Sequence, residues 1–72
     1  MDIKPRIGKR IKQLRAEAGI SQMELANLAG LDRTYITSVE NGRRNVSIVN
    51  IERIAKALNV TLKQFFDHAE FD

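Results

Sequence analysis

Seventy-two residues, 43% of them hydrophobic and none of them cysteine, make a single small globular domain (1–72) with neither a disulfide framework nor a thiolate metal site. No uncharged run is long enough to span a bilayer and the N-terminus has no signal-peptide pattern, so a reducing cytoplasm is the expected location. The net charge of +3 is uneven, with Lys4, Arg6, Lys9, Arg10, Lys12 and Arg15 against Asp2 at the leading end, whereas residues 45–72 are neutral to acidic; one side of the domain suits a polyanion.

The chain reads as five short helices with no strand candidate. The first is expected from about Pro5, which suits a first helical turn, to Ala18, with Gly19 as stop. Ile7, Ile11, Leu14 and Ala18 form its core stripe, and Arg6, Lys9, Arg10 and Lys12 lie mainly off it. Arg15, beside Leu14, is placed to turn inward. Four later helices share one start signal: the caps Ser21, Asp32, Ser47 and Thr61 each follow an apolar residue that pairs with another five positions on. The pairs are Ile20 with Leu25, Leu31 with Ile36, Val46 with Ile51, and Val60 with Phe65, a hydrophobic staple each time. Ser21 with Glu24 and Thr61 with Gln64 add capping boxes.

The second helix, after Ser21, is expected to bury Leu25, Ala26, Leu28 and Ala29 and to end at Gly30, whose freedom to take positive φ lets the backbone turn. Asp32 then caps a third helix from Arg33. Two short helices joined by a tight glycine turn, about residues 21–41, are a helix-turn-helix unit, which offers its second helix to the DNA major groove. At about 100° per residue, Arg33, Thr34, Thr37, Ser38 and Asn41 share one arc of that helix, with Tyr35, Ile36 and Val39 opposite and Glu40 between Ile36 and Arg33. The outward residues are weak helix formers, a poor choice for mere solvation and a good one for reaching base edges. The fourth helix, about Ile48 to Leu58, should bury Ile48, Ile51, Ile54, Ala55 and Leu58 and expose Glu52, Arg53 and Lys56. The fifth runs from Leu62 to about Asp67, and the tail 68–72 has no strong preference, with Phe71 able to fold back.

The combination Gln22-x-x-Leu25-Ala26, Ala29-Gly30-Leu31, Ile36 and Val39-Glu40-Asn41-Gly42, continued by Ile54-Ala55-Lys56-Ala57-Leu58, resembles the DNA-binding domain of lambdoid phage repressors and their XRE-type bacterial relatives over roughly residues 7–66. Leu31-Asp32-Arg33-Thr34-Tyr35-Ile36 followed by Arg44-Asn45 looks most like the controller proteins of restriction–modification systems. The resemblance implies an all-α, five-helix lambda-repressor-like fold. It also implies a homodimeric regulator of double-stranded DNA on a (pseudo)palindromic operator, repressing or activating a restriction–modification operon that includes its own gene. RNA polymerase is a further partner such regulators can engage.

Position by position, the resemblance puts Arg33, Thr34, Thr37 and Ser38 in the major groove. Arg33 is the first choice for guanine, since its fork matches O6 and N7. Gln22 is expected to touch a phosphate and buttress the recognition helix, and Tyr35 either meets phosphate through its hydroxyl or belongs to the core. Asn41, Arg43, Arg44 and Asn45 form a loop beside the sugar-phosphate backbone. Ser47 is either a phosphate donor at a helix N-terminus or a cap alone. Glu40 needs a cation if buried, and the family's pairing makes Arg15 its partner, a structural ion pair. Leu62, Phe65 and Phe66 are the expected dimer interface, with Phe66 and Leu62 preferred because the staple turns Phe65 inward.

Catalysis is not expected: the single histidine, His68, sits in the tail without a nucleophile or ligand set. No metal, cofactor or small-molecule ligand is expected either. The alternatives are a phage or host repressor of the same fold, or an antitoxin-type adaptor whose main partner is a protein and which would use the fourth and fifth helices.

Overall fold

In the computed structural model, which describes residues 2–72, the helices are α1 (Ile3–Ala18), α2 (Gln22–Ala29), α3 (Arg33–Glu40), α4 (Ile48–Ala57) and α5 (Leu62–Phe66), followed by a 3₁₀ turn, Ala69–Phe71. There is no strand among the described residues, and no helix is long and apolar enough to cross a membrane. α3 packs against α1 and α2, and α2 also packs against α4. The core holds Ile7, Ile11 and Leu14 from α1, Leu25, Ala26 and Ala29 from α2, and Ile36 and Val39 from α3. Ile51, Ile54, Ala55, Leu58 and Phe65 complete it.

Start signals fix the helix boundaries. Ser21, Asp32, Ser47 and Thr61 all stand as extended N-cap residues, and the capping boxes of Ser21–Glu24 and Thr61–Gln64 are both formed. Leu25, Ile36, Ile51 and Phe65 are core residues, and their staple partners Ile20, Leu31, Val46 and Val60 pack against that core half-buried. Asp32 caps by position only; its side chain makes no capping hydrogen bond. Gly30 adopts φ 69°, the left-handed turn that swings α3 away from α2.

Six details depart from the sequence reading. α1 begins at Ile3, not Pro5, because the Asp2 carboxylate accepts from the Lys4 amide at 3.1 Å; Pro5 falls in the first turn, where no intrahelical donor is needed. Ala18 is exposed at the last residue of α1, beyond the stretch that Ile7, Ile11 and Leu14 bury. Leu28 is 64% exposed: the buried arc of α2 is centred between Leu25 and Ala26, toward α3 and α4, and Leu28 lies off it. Ile48 is 63% exposed because the first turn of α4 protrudes past the elements that cover Ile51 and Ile54.

The tail is the fifth. It docks instead of fraying: Phe71 stacks at 6.3 Å from Phe65 and lies edge-on to Phe66 at 5.0 Å. The Arg6 guanidinium lies over the Phe71 ring at 5.9 Å and its Nε donates to the Glu70 carbonyl, closing the chain end onto α1.

Arg10, read as an outward cation, is buried. Its Nε donates to the Phe65 carbonyl at 2.7 Å, Nη2 to the Gln64 carbonyl at 2.8 Å and Nη1 to Gln13 Oε1 at 2.8 Å. A guanidinium has five donors in a fixed fork, and here two of them tie α1 to the carbonyl end of α5 while a third is held by Gln13 of α1 itself.

Candidate nucleic-acid interface

α3 turns Ile36, Val39 and Glu40 into the protein and leaves Arg33 and Thr34 exposed, with Thr37 and Ser38 half-buried beside them. Among the described residues the Arg33 guanidinium has no hydrogen-bond partner, so its fork is available to a ligand. Asn41 ends the helix, and the chain then folds back along it: the Gly42 amide donates to the Val39 carbonyl and the Arg43 amide to the Ser38 carbonyl. Asn41, Arg43, Arg44, Asn45 and Ser47 are all exposed at this end of the domain.

The loop does not act as one strip. Arg44 lies over the Tyr35 ring at 4.9 Å, and these two share a concave wall with Thr34, Asp32 and the Gly30–Leu31 turn. Asn45 instead lines a separate groove with Ile3, Lys4, Val46 and Phe66. Tyr35 is half-buried against the core, and its hydroxyl accepts from Asn50 Nδ2 at 3.1 Å. That acceptance leaves the phenolic proton free to be donated outward. Asn50 was not anticipated; a polar residue between Val49 and Ile51 in the otherwise apolar first turn of α4 was the available signal. Ser47 Oγ accepts from the Asn50 amide at 3.1 Å, a cap that likewise leaves its own proton unused.

Behind the face lies one connected polar network. Glu40 is fully shielded from solvent, and Arg15 grips it with Nε to Oε2 at 2.8 Å and Nη2 to Oε1 at 3.1 Å. Arg15 Nη1 also donates to the Ile20 carbonyl at 3.0 Å, which ties the pair to the α1–α2 turn. The hydrogen bond to Glu40 raises the Arg15 pKa against an opposing loss of hydration. A raised pKa on a basic group means its contribution is intact through neutral and moderately alkaline conditions and is lost only at still higher pH. Gln22 Nε2 donates to Glu40 Oε1 at 3.1 Å, and Thr37 Oγ1 donates to Gln22 Oε1 at 3.1 Å. The start of α2, the end of α1 and the middle of α3 are thereby locked together.

Gly8 is the other residue that sets the position of α3. A Cβ at Gly8 would stand 2.6 Å from the Val39 carbonyl oxygen and 2.8 Å from the Glu40 carbonyl carbon, so only glycine lets α1 cross so close to the end of α3. An isolated glycine within a helical pattern was its sequence signal.

At the opposite end, the expected interface residues separate. Phe65 has no exposed surface and belongs to the core, a correction to its place in a docking face. Phe66 is half-buried between Phe65 and Phe71, while Leu62 is 36% exposed on α5. The staple with Val60 and the docked tail account for the difference, because together they cover the phenylalanines and leave Leu62 at the rim.

Comparison with known proteins fits this geometry. The helix-turn-helix family model matches residues 11–65. The control protein C.MunI from Mycoplasma sp is 49% identical over 70 residues, covering 96% of this chain and 95% of the relative. The crystal structure of the restriction–modification controller protein C.AhdI from Aeromonas hydrophila superposes with a TM-score of 0.81 at 48% identity, covering 85% of this chain and 92% of that one. A tetramer of the controller protein C.Esp1396I in complex with its natural 35 base-pair operator gives a TM-score of 0.87 at 37% identity, covering 93% of this chain and 88% of that chain. The chain belongs to the XRE-type helix-turn-helix family of DNA-binding regulators, in the branch that contains the restriction–modification controller proteins.

Proposed function

We propose that the chain is a homodimeric, sequence-specific transcriptional regulator that acts in the cytoplasm on a (pseudo)palindromic operator, controlling a restriction–modification operon together with its own gene. The observation that carries this reading is α3 itself: an unengaged arginine and an exposed threonine project from its first turn, while a shielded ion pair and the core residues Ile36 and Val39 hold its other side rigid. A preorganised helix loses little freedom on entering a groove. Arg33 would take guanine O6 and N7, with Thr34, Thr37 and Ser38 beside it on the base edges. Tyr35 and Ser47 each retain a proton for phosphate, and Gln22 keeps its second amide hydrogen for the same use. Asn41, Arg43, Arg44 and Asn45 would fix the domain on the backbone, where the positive charge of the two arginines carries affinity without sequence. The C.Esp1396I tetramer on its operator supports this mode of assembly for a relative of the same fold.

The direct test is a gel shift on the DNA upstream of the chain's own gene. Arg33→Ala should weaken specific binding by about tenfold or more per half-site and leave binding to random duplex nearly unchanged. Equal affinity for operator by both proteins would remove α3 as the reader.

One short helix reads few base pairs, so two copies are needed, with recognition helices about 34–36 Å apart on one face of the duplex. Leu62 and the half-buried Phe66 are the proposed contact, the exposed apolar part of α5. Leu62→Asp tests it cleanly, because an acid in the first turn of α5 favours that helix instead of breaking it. Sedimentation equilibrium should show the dimer constant weakened by at least about tenfold with the helical circular dichroism unchanged. An unaltered dimer would move the joint elsewhere.

A further inference from the structure

We infer that Thr37 reads its base pair as a hydrogen-bond acceptor only, and therefore selects an exocyclic amino group, adenine N6 or cytosine N4, in each half-site. The inference deepens the operator-reading role of α3 proposed above and rests on it. A threonine hydroxyl can ordinarily donate or accept, which makes it a tolerant contact on any base edge. Here the network behind α3 removes that choice.

The polarity propagates from Arg15. Its guanidinium can only donate, and the ion-paired Glu40 carboxylate can only accept. Gln22 meets Glu40 Oε1 at 3.1 Å, so its amide must present nitrogen there; a flipped amide would set two acceptors against each other. With nitrogen facing Glu40, the Gln22 oxygen faces Thr37 Oγ1 at 3.1 Å and the hydroxyl has to supply the hydrogen. Among the described residues the other hydrogen-bond partner of that hydroxyl is the Arg33 carbonyl at 3.0 Å, which is again an acceptor. Whichever of the two it takes, the single Thr37 proton points into the protein and only lone pairs remain for DNA. Tyr35 shows the opposite setting: it accepts from Asn50 and keeps its proton, the polarity phosphate requires. A Thr37 without a proton to give would leave guanine O6 and N7 or thymine O4 facing an acceptor, and those bases are discriminated against.

The test begins with duplexes selected by the wild-type protein from a random-sequence pool. Each adenine of the selected site is replaced in turn by purine, and each cytosine by 2-pyrimidinone, which delete the exocyclic amine and little else. One position per half-site should cost the wild-type protein about three- to tenfold in affinity, the range of a single lost hydrogen bond. Thr37→Val should be indifferent to the analogue at that position, and Thr37→Ser, which keeps the hydroxyl, should remain sensitive; circular dichroism verifies that both variants are folded. Coupling of Thr37 to 7-deazaguanine, which lacks the N7 acceptor, or to 4-thiothymine, whose sulfur is a poor acceptor in place of O4, would overturn the inference, as would the absence of any coupled position. If those results come with Arg33→Ala still abolishing selection, operator reading by α3 stands and only the Thr37 assignment is lost. If the wild-type protein selects no sequence at all, both readings fail together.

Discussion

Arg15→Met should remove a large share of the protein's stability, the largest effect expected of any single substitution that touches no ligand. Methionine reproduces the unbranched stem of arginine without its guanidinium, so the loss is chiefly electrostatic: the Glu40 carboxylate, with no exposed surface, loses two of its three donors and retains only Gln22 Nε2. Breaking a buried pair from one side costs about 3–5 kcal/mol, whereas the intact pair itself adds little net stability. A domain of this length has on the order of 4–11 kcal/mol in total, so a loss of that size is a large share of it. The double variant Arg15→Met with Glu40→Leu removes the stranded charge as well and should recover most of the loss in urea denaturation. A double variant as unstable as the single one would show that packing around Arg15, not the unpaired carboxylate, is what matters.

Gly8→Ala is the second, and its sign runs against helix propensity. In the interior of α1, alanine in place of glycine should add up to about 1 kcal/mol. The added methyl, however, meets the carbonyls of Val39 and Glu40, which are backbone atoms and cannot swing aside. Relief requires α1 and the end of α3 to separate, breaking the packing of Ile7 and Ile11 and pulling at the Arg15–Glu40 pair. A net loss of about 2–3 kcal/mol is expected in urea denaturation, typical of overpacking. Operator affinity should fall further than the folded fraction, since the variant that does fold holds α3 in a shifted position. A rise in melting temperature would mean that α1 and α3 do not approach as closely as the structure has them.

These two residues also mark where reading the chain succeeds and where it stops. Arg15 and Glu40 were legible: a carboxylate on the apolar side of an amphipathic helix demands a cation, and the family resemblance supplied which one. Gly8 was not: an isolated glycine within a helical pattern marks the position, but its role depends on the distance between two helix axes, which no local pattern encodes. Arg10 misled for a related reason. Its position off the Ile7–Ile11–Leu14 stripe suggested solvent, yet a long side chain can reach the carbonyl end of α5, which the chain brings there more than fifty residues later. Leu28 and Ile48 erred the opposite way, since apolar periodicity says which side of a helix faces inward but not how far the neighbouring elements extend to cover it.

Local chemistry therefore determined the five helices, their caps and staples, the glycine turn after α2 and the set of polar side chains on α3, because each depends on residues within about one turn of one another. What the tertiary structure alone decided is the state of those side chains. It closed the tail onto α1, withdrew Phe65 from the surface, set Arg44 against Tyr35 and turned the Thr37 proton inward through Gln22 and Glu40. Hydrogen-bond direction and burial are properties of partners distant in sequence, and they exist only once α1, α2 and α3 meet.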